Sequence, residues 1–81
     1  MNTEDILKER GTTHGDFTDN ARVSQVLKTI LHCENADLTP IEREAIDMIC
    51  HKLARIVCGN PHFQDHWDDI AGYAKLVSDR L

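Results

Sequence analysis

No apolar run in this sequence approaches the roughly 20 residues that cross a bilayer, so a membrane-spanning helix is not expected. The first ten residues, MNTEDILKER, are acidic and lack the apolar core of a signal peptide. Positive charge is scarce: nine Lys and Arg stand against fourteen Asp and Glu, a net charge of −5. That deficit argues against general affinity for nucleic-acid phosphates, which needs clustered Lys and Arg, and against an anionic membrane surface. Cys33, Cys50 and Cys58 are an odd number and form no CxxC pair. They read as reduced thiols, and the expected location is the cytoplasm. No stretch carries the alternation of a strand, and there is no repeat or low-complexity segment.

What is present is helical periodicity. The clearest stretch is TPIEREAIDMICHKLARIVCG, residues 39–59. Thr39 suits the N-cap, Pro40 the first helical position, and Glu42 completes a capping box. Gly59 suits a left-handed helix end, and Pro61 blocks continuation. Ala45, Ile46, Ile49, Leu53, Ile56 and Val57 cover a broad apolar arc, as expected of a helix with neighbours on more than one side. Opposite runs a polar stripe of Glu44, Asp47, His51 and Arg55.

The other elements are placed around it. Thr3 caps a short helix over 4–10, ended by Gly11, and GTTHGDF (11–17) reads as a tight loop. Asp16 caps a helix over 17–33 whose apolar seam is Val23, Val26, Leu27, Ile30 and Leu31. Asp65 caps a last helix over 66–80, with Trp67, Ile70, Ala71, Ala74, Val77 and Leu81 as its core face. Gly72 offers close approach to a helix or ligand. The predicted fold is all-α: a compact bundle of three main helices plus a short N-terminal helix. Residues 1–81 form a single domain, with 1–15 as arm and loop and 16–81 as helical core. Val23, Leu27, Ile30, Ile49, Leu53, Ile56, Trp67, Ile70 and Ala74 are the expected core. A chain of 81 residues is marginal as a monomer, so a homo-oligomer is expected, with Tyr73 and Leu76 of the last helix at the contact.

Two polar constellations are candidate sites. Asp16 and Asn20 fall in line with an apolar seam, where polar groups need partners. With Lys52, Arg55, Asp69 and Tyr73 they form either a hydrogen-bonded network between helices or a pocket for a small anion held by Arg55 and Lys52. Glu44 and Asp47 on one helix, and Asp65 and Asp68 on the next, are spaced three apart, so each pair shares a face. Converging, they would hold a Mg²⁺ ion; otherwise they are helix caps and a solvated stripe. No His or Cys spacing suits zinc, and the five His read as surface or boundary residues. No nucleophilic triad is present.

The motifs HGDF (14–17), HKLARI (51–56) and DHWDDIAGYA (65–74) resemble a family of small phage and prophage proteins of unassigned function. The resemblance covers the chain from Glu4 on and implies a compact all-helical domain. More remotely, the carboxylates are similar to those of the all-α nucleoside triphosphate pyrophosphohydrolases, the MazG and dimeric dUTPase group. Their ExxE and ExxD helices hold Mg²⁺ against a nucleotide's phosphates. Glu44, Asp47, Asp65 and Asp68 would take those positions, with Asp at 47 and 65 where the pattern has Glu. The expected function is that of a phage or prophage accessory protein. It would act without catalysis or cofactor, by self-association and by binding a host or phage protein or a small ligand. The alternative is a Mg²⁺-dependent nucleotide pyrophosphohydrolase or a degenerate nucleotide-binding relative.

Overall fold

The capping box expected at Thr39 closes in both directions. The Glu42 amide donates to Thr39 Oγ1 at 3.2 Å, and the Thr39 amide donates to Glu42 Oε1 at 2.8 Å. It starts the longest helix of a computed structural model that describes residues 2–81. The helices are α1 (Thr3–His14), α2 (Phe17–His32), α3 (Pro40–Cys58) and α4 (Gln64–Ser78). No strand occurs among the described residues, and the all-α class is as expected.

Several boundaries differ from the sequence expectation. The cap of α1 is Asn2, whose Oδ1 accepts from the Asp5 amide at 2.9 Å, not Thr3. The helix runs through Gly11, and most of the expected 11–17 loop is helical. The Thr12 and Thr13 hydroxyls turn back to the Glu9 carbonyl, so their competing hydrogen bonds are satisfied within the helix. The true stop is Gly15, at φ 88°. At the other end of the chain, α4 starts at Gln64 with Phe63 as an N-cap that makes no side-chain hydrogen bond. Asp65 therefore sits inside the first turn, where its charge suits the dipole.

Gly59 ends α3, but not in the left-handed region: its φ is −120°. Its role is close approach. A Cβ there would lie 2.5 Å from the His14 carbonyl carbon, and one on Gly15 would lie 2.4 Å from the Cys58 carbonyl oxygen. The ends of α1 and α3 thus meet backbone to backbone, and the Asn60 amide donates to the Thr13 carbonyl at 2.9 Å.

α3 is central. α2 and α4 each pack along it, antiparallel, while scarcely touching each other. Cys50 and Ala54 are buried on the α2 side, and Ala45 and Ile56 on the α4 side. At about 100° per residue these two sets lie on roughly opposite sides of the helix. The three helices therefore form a layer with two open faces. The polar stripe of Glu44, His51 and Arg55 lies on one face. On the other, Ile46, Ile49 and Leu53 are half-buried and Val57 is 69% exposed.

This layering corrects the expected core. α2 turns Asn20, Ser24 and Leu27 toward α3 and leaves Ile30 exposed. α4 turns His66, Ile70 and Val77 inward, leaving Trp67 and Ala74 exposed. The Trp67 indole N–H instead donates to the Pro61 carbonyl at 2.9 Å, pinning the α3–α4 turn. Val23, Leu27, Ile49, Leu53 and Ile70 are half-buried, and Ile56 is buried as expected. The radius of gyration, 14.1 Å, exceeds the roughly 12 Å of a globular chain this long.

Two glycine substitutions should move stability in opposite directions. Gly59→Ala forces a Cβ into the α1 backbone and should cost about 1–3 kcal/mol, as overpacking does. Gly72→Ala meets nothing within 4 Å and should stabilise by up to ~1 kcal/mol through helix propensity. Urea denaturation of both variants checks the pair of signs.

Candidate functional site

The polar face of the layer carries a groove between the start of α2 and the end of α3. Its narrow part, about 150 Å³, is lined by Asn20, Ser24, Gln25, Lys28, His51 and Arg55, among others. A wider part of about 350 Å³ extends toward α1, where Arg10, His14 and Asp16 join the wall. Phe17, Asn20 and Arg55 border both.

Asn20 Nδ2 donates to the His14 carbonyl at 2.8 Å and to the Gly15 carbonyl at 3.4 Å. That assignment leaves Oδ1 as a pure acceptor, and it is buried without a partner. One turn further on, Ser24 is only 4% exposed and its Oγ is likewise unpartnered. Buried polar atoms are normally satisfied, so two adjacent exceptions need a reason. Burial, then the positive charges of Arg55, Lys28 and Lys52, holds the His51 pKa below its ordinary value. The groove is thus locally positive in an acidic protein.

The six residues expected to form one cluster fall into two groups. Asp16, Asn20 and Arg55 line the wider cavity. Lys52 pairs with Asp69 at 2.9 Å between α3 and α4, which holds the Asp69 carboxyl below its usual range. Asp69 and Tyr73 line a shallow hollow of about 470 Å³ along α4. Neither Asp16 nor Asn20 bonds to the Lys52–Arg55 segment. Asp16 accepts from the Thr18 amide at 3.0 Å as a helix cap, and Asn20 ties α2 to the end of α1.

The four carboxylates considered for Mg²⁺ do not converge within the chain. Asp47 faces α2 and is held by His32 Nε2 at 2.7 Å, on the far side of α3 from α4. Glu44, Asp65 and Asp68 are exposed. Asp68 lines the shallow hollow along α4. Among the described residues no group of three or more His, Cys, Asp or Glu side chains is placed to hold one metal ion.

Two histidines read as surface or boundary residues meet side chain to side chain at the α1–α4 corner. His14 Nδ1 lies 3.1 Å from His66 Nε2, and His66 is 1% exposed. Phe63 packs edge-on against both rings. A neutral imidazole has one N–H and one bare nitrogen, so one ring donates and the other accepts. Burial is the largest cause lowering both pKa values, and each ring also feels the charges of Arg55 and Lys52.

A family model described as Domain of unknown function (DUF6378) matches residues 2–80. No curated protein matches the chain. No solved structure matches it either.

The three lowered histidines set an acid limit on stability. His14, His51 and His66 all fall below 6.5 in the folded state, so the unfolded chain takes up protons first as pH falls. Stability is complete above about 6.5 and declines below it. Urea midpoints measured at about pH 7.5 and pH 5.5 should show the loss. A His14→Gln/His66→Gln double variant should flatten the dependence.

Proposed function

The chain belongs to the family described as a domain of unknown function, DUF6378, and from that premise we propose that it is a self-associating module that acts by binding. One observation carries the reading: apolar residues of three helices share one open face of the layer. α2 contributes Val23, Val26 and Ile30, α3 contributes Ile46, Leu53 and Val57, and α4 contributes Trp67, Ala71 and Ala74. Val26, Ile30, Val57 and Trp67 are each more than half exposed. An apolar surface of this breadth is unusual on a monomer.

The total area supports a second copy as the occupant. The chain exposes 6027 Å², against about 5,000 Å² for an ordinary monomer of this size. The excess, on the order of 1,000 Å², is close to the roughly 800 Å² that each partner contributes to a standard interface. Two copies packed face to face would turn two half-cores into one, and most of the core residues expected from the sequence lie on that face. Tyr73 and Leu76, the expected contact, lie away from it, so the interface assigned here is a different one.

The motifs HGDF, HKLARI and DHWDDIAGYA suggest the setting, a cytoplasmic accessory protein of a phage or integrated element. Binding is favoured over catalysis because the candidate carboxylates are engaged separately or exposed. A host or phage protein is the other occupant that the apolar face would suit.

Light scattering of the full chain at micromolar concentration should give twice the chain mass. Ile30→Glu and Val57→Glu, both at exposed positions, should each weaken association by at least about tenfold, since a carboxylate would be buried unpaired. Leu76→Glu should leave the dimer intact. A monomeric wild type would refute self-association and leave the face to another protein.

A further inference from the structure

The opposite, polar face carries a second feature that owes nothing to the apolar one. The narrow groove between α2 and α3 combines unpaired positive charge with buried, unpartnered hydrogen-bonding atoms. Lys52 is neutralised by Asp69. Lys28 and Arg55, by contrast, have no carboxylate within ion-pair distance among the described residues. Both line the groove with His51, and Ser24 Oγ and Asn20 Oδ1 are buried at its α2 side. A polypeptide folding only for stability gains nothing from a hydroxyl and a carbonyl oxygen held dry beside unpaired cations. Both atoms are closed to water in this conformation, and a ligand supplies the missing partners as the groove wall yields to it.

We propose that this groove is a binding site for a small phosphomonoester that carries a free hydroxyl. The division of chemistry follows from the donors and acceptors. Lys28 and the Arg55 guanidinium supply positive charge and N–H donors, and Arg55 offers the planar fork that suits phosphate oxygens. The Ser24 O–H and a His51 ring N–H add two more donors. Four donors around one space suit the three terminal oxygens of a phosphate better than the two of a carboxylate. Asn20 Oδ1 has the opposite need. Its amide nitrogen is committed to the His14 carbonyl, so it cannot flip, and the oxygen accepts only. The ligand must therefore bring an O–H donor as well as its charge.

The space is consistent with this class. About 150 Å³ holds a phosphate on a short hydroxylated stem, and the groove opens past Phe17 and Arg55 into the wider cavity, where a longer stem would continue. Asp16 is the carboxylate on the wider wall. Its repulsion places the phosphate at the Lys28 and His51 end and the hydroxylated end toward Asn20.

The test is titration calorimetry of the full chain with glycerol 3-phosphate, inorganic phosphate, glycerate and glycerol. Glycerol 3-phosphate should bind tightest, with phosphate and glycerate each weaker and glycerol giving no heat. Lys28→Met and Arg55→Met should each weaken binding by roughly tenfold or more, the loss expected when a charge-assisted hydrogen bond goes. Ser24→Ala separates a site from a packing defect. It removes a buried unpartnered hydroxyl, so the melting temperature should stay or rise while affinity falls severalfold. No binding of any probe at millimolar concentration would overturn the proposal. So would equal affinity for phosphate and glycerol 3-phosphate, tighter binding of glycerate, or affinity unchanged in the Arg55 and Ser24 variants. The exposed-face variants Ile30→Glu and Val57→Glu should bind as the wild type does, so failure of the dimer and failure of the groove are read separately.

Discussion

Everything in this molecule depends on how α3 divides its circumference. Its small residues, Ala45, Cys50 and Ala54, are buried, and small side chains allow close helix approach. They occur on opposite sides, so α2 and α4 dock on opposite sides too. A third neighbour placed over Leu53 would have closed a conventional bundle core. α1 does not fill that place, because the Gly15–Gly59 contact holds its end at the α3–α4 corner. The outcome is a three-helix layer with one apolar and one polar surface, and α1 stands at its corner.

The corner also ties the two surfaces to the backbone. The carbonyls at the end of α1 have no further helical turn to serve, so they are available to other donors. The Thr13 carbonyl takes the Asn60 amide, and the His14 carbonyl takes the Asn20 side-chain amide. The last of these locks the amide of Asn20 in one orientation and leaves its oxygen buried without a partner. The His14–His66 hydrogen bond then holds α1 against α4. A helix that looks dispensable in the sequence thus orients the chemistry of α2.

The two faces obey different physics. The apolar face is governed by area removed from water, which is non-directional and tolerant of side-chain identity. The polar groove is governed by satisfaction of individual atoms, where one unmatched oxygen matters. Lys52 and Arg55, three residues apart on α3, show how sharply orientation assigns these roles. Lys52 leans to the α4 side and is quenched by Asp69, while Arg55 faces the groove and meets no carboxylate.

The sequence by itself determined the helical class, the capping box at Thr39, the Asp16 cap and the extent of α3. These follow from local rules: hydrogen bonds between residues two or three apart, φ restrictions at Pro40, and apolar spacing. It also marked Asn20 as unusual, since a polar residue in an apolar seam is visible in one dimension. What only the tertiary structure decided is which part of each apolar arc faces inward. An amphipathic helix fixes a stripe, not the partner that covers it, so a core face and an association face look alike in sequence. That is why Ile30 and Trp67 read as core and prove exposed. The same reason hid His66 and Ser24, whose burial comes from residues far along the chain. Burial of Ser24 and the His14–His66 pair exist only once α1, α2 and α4 have been set against α3, and no local spacing encodes that arrangement.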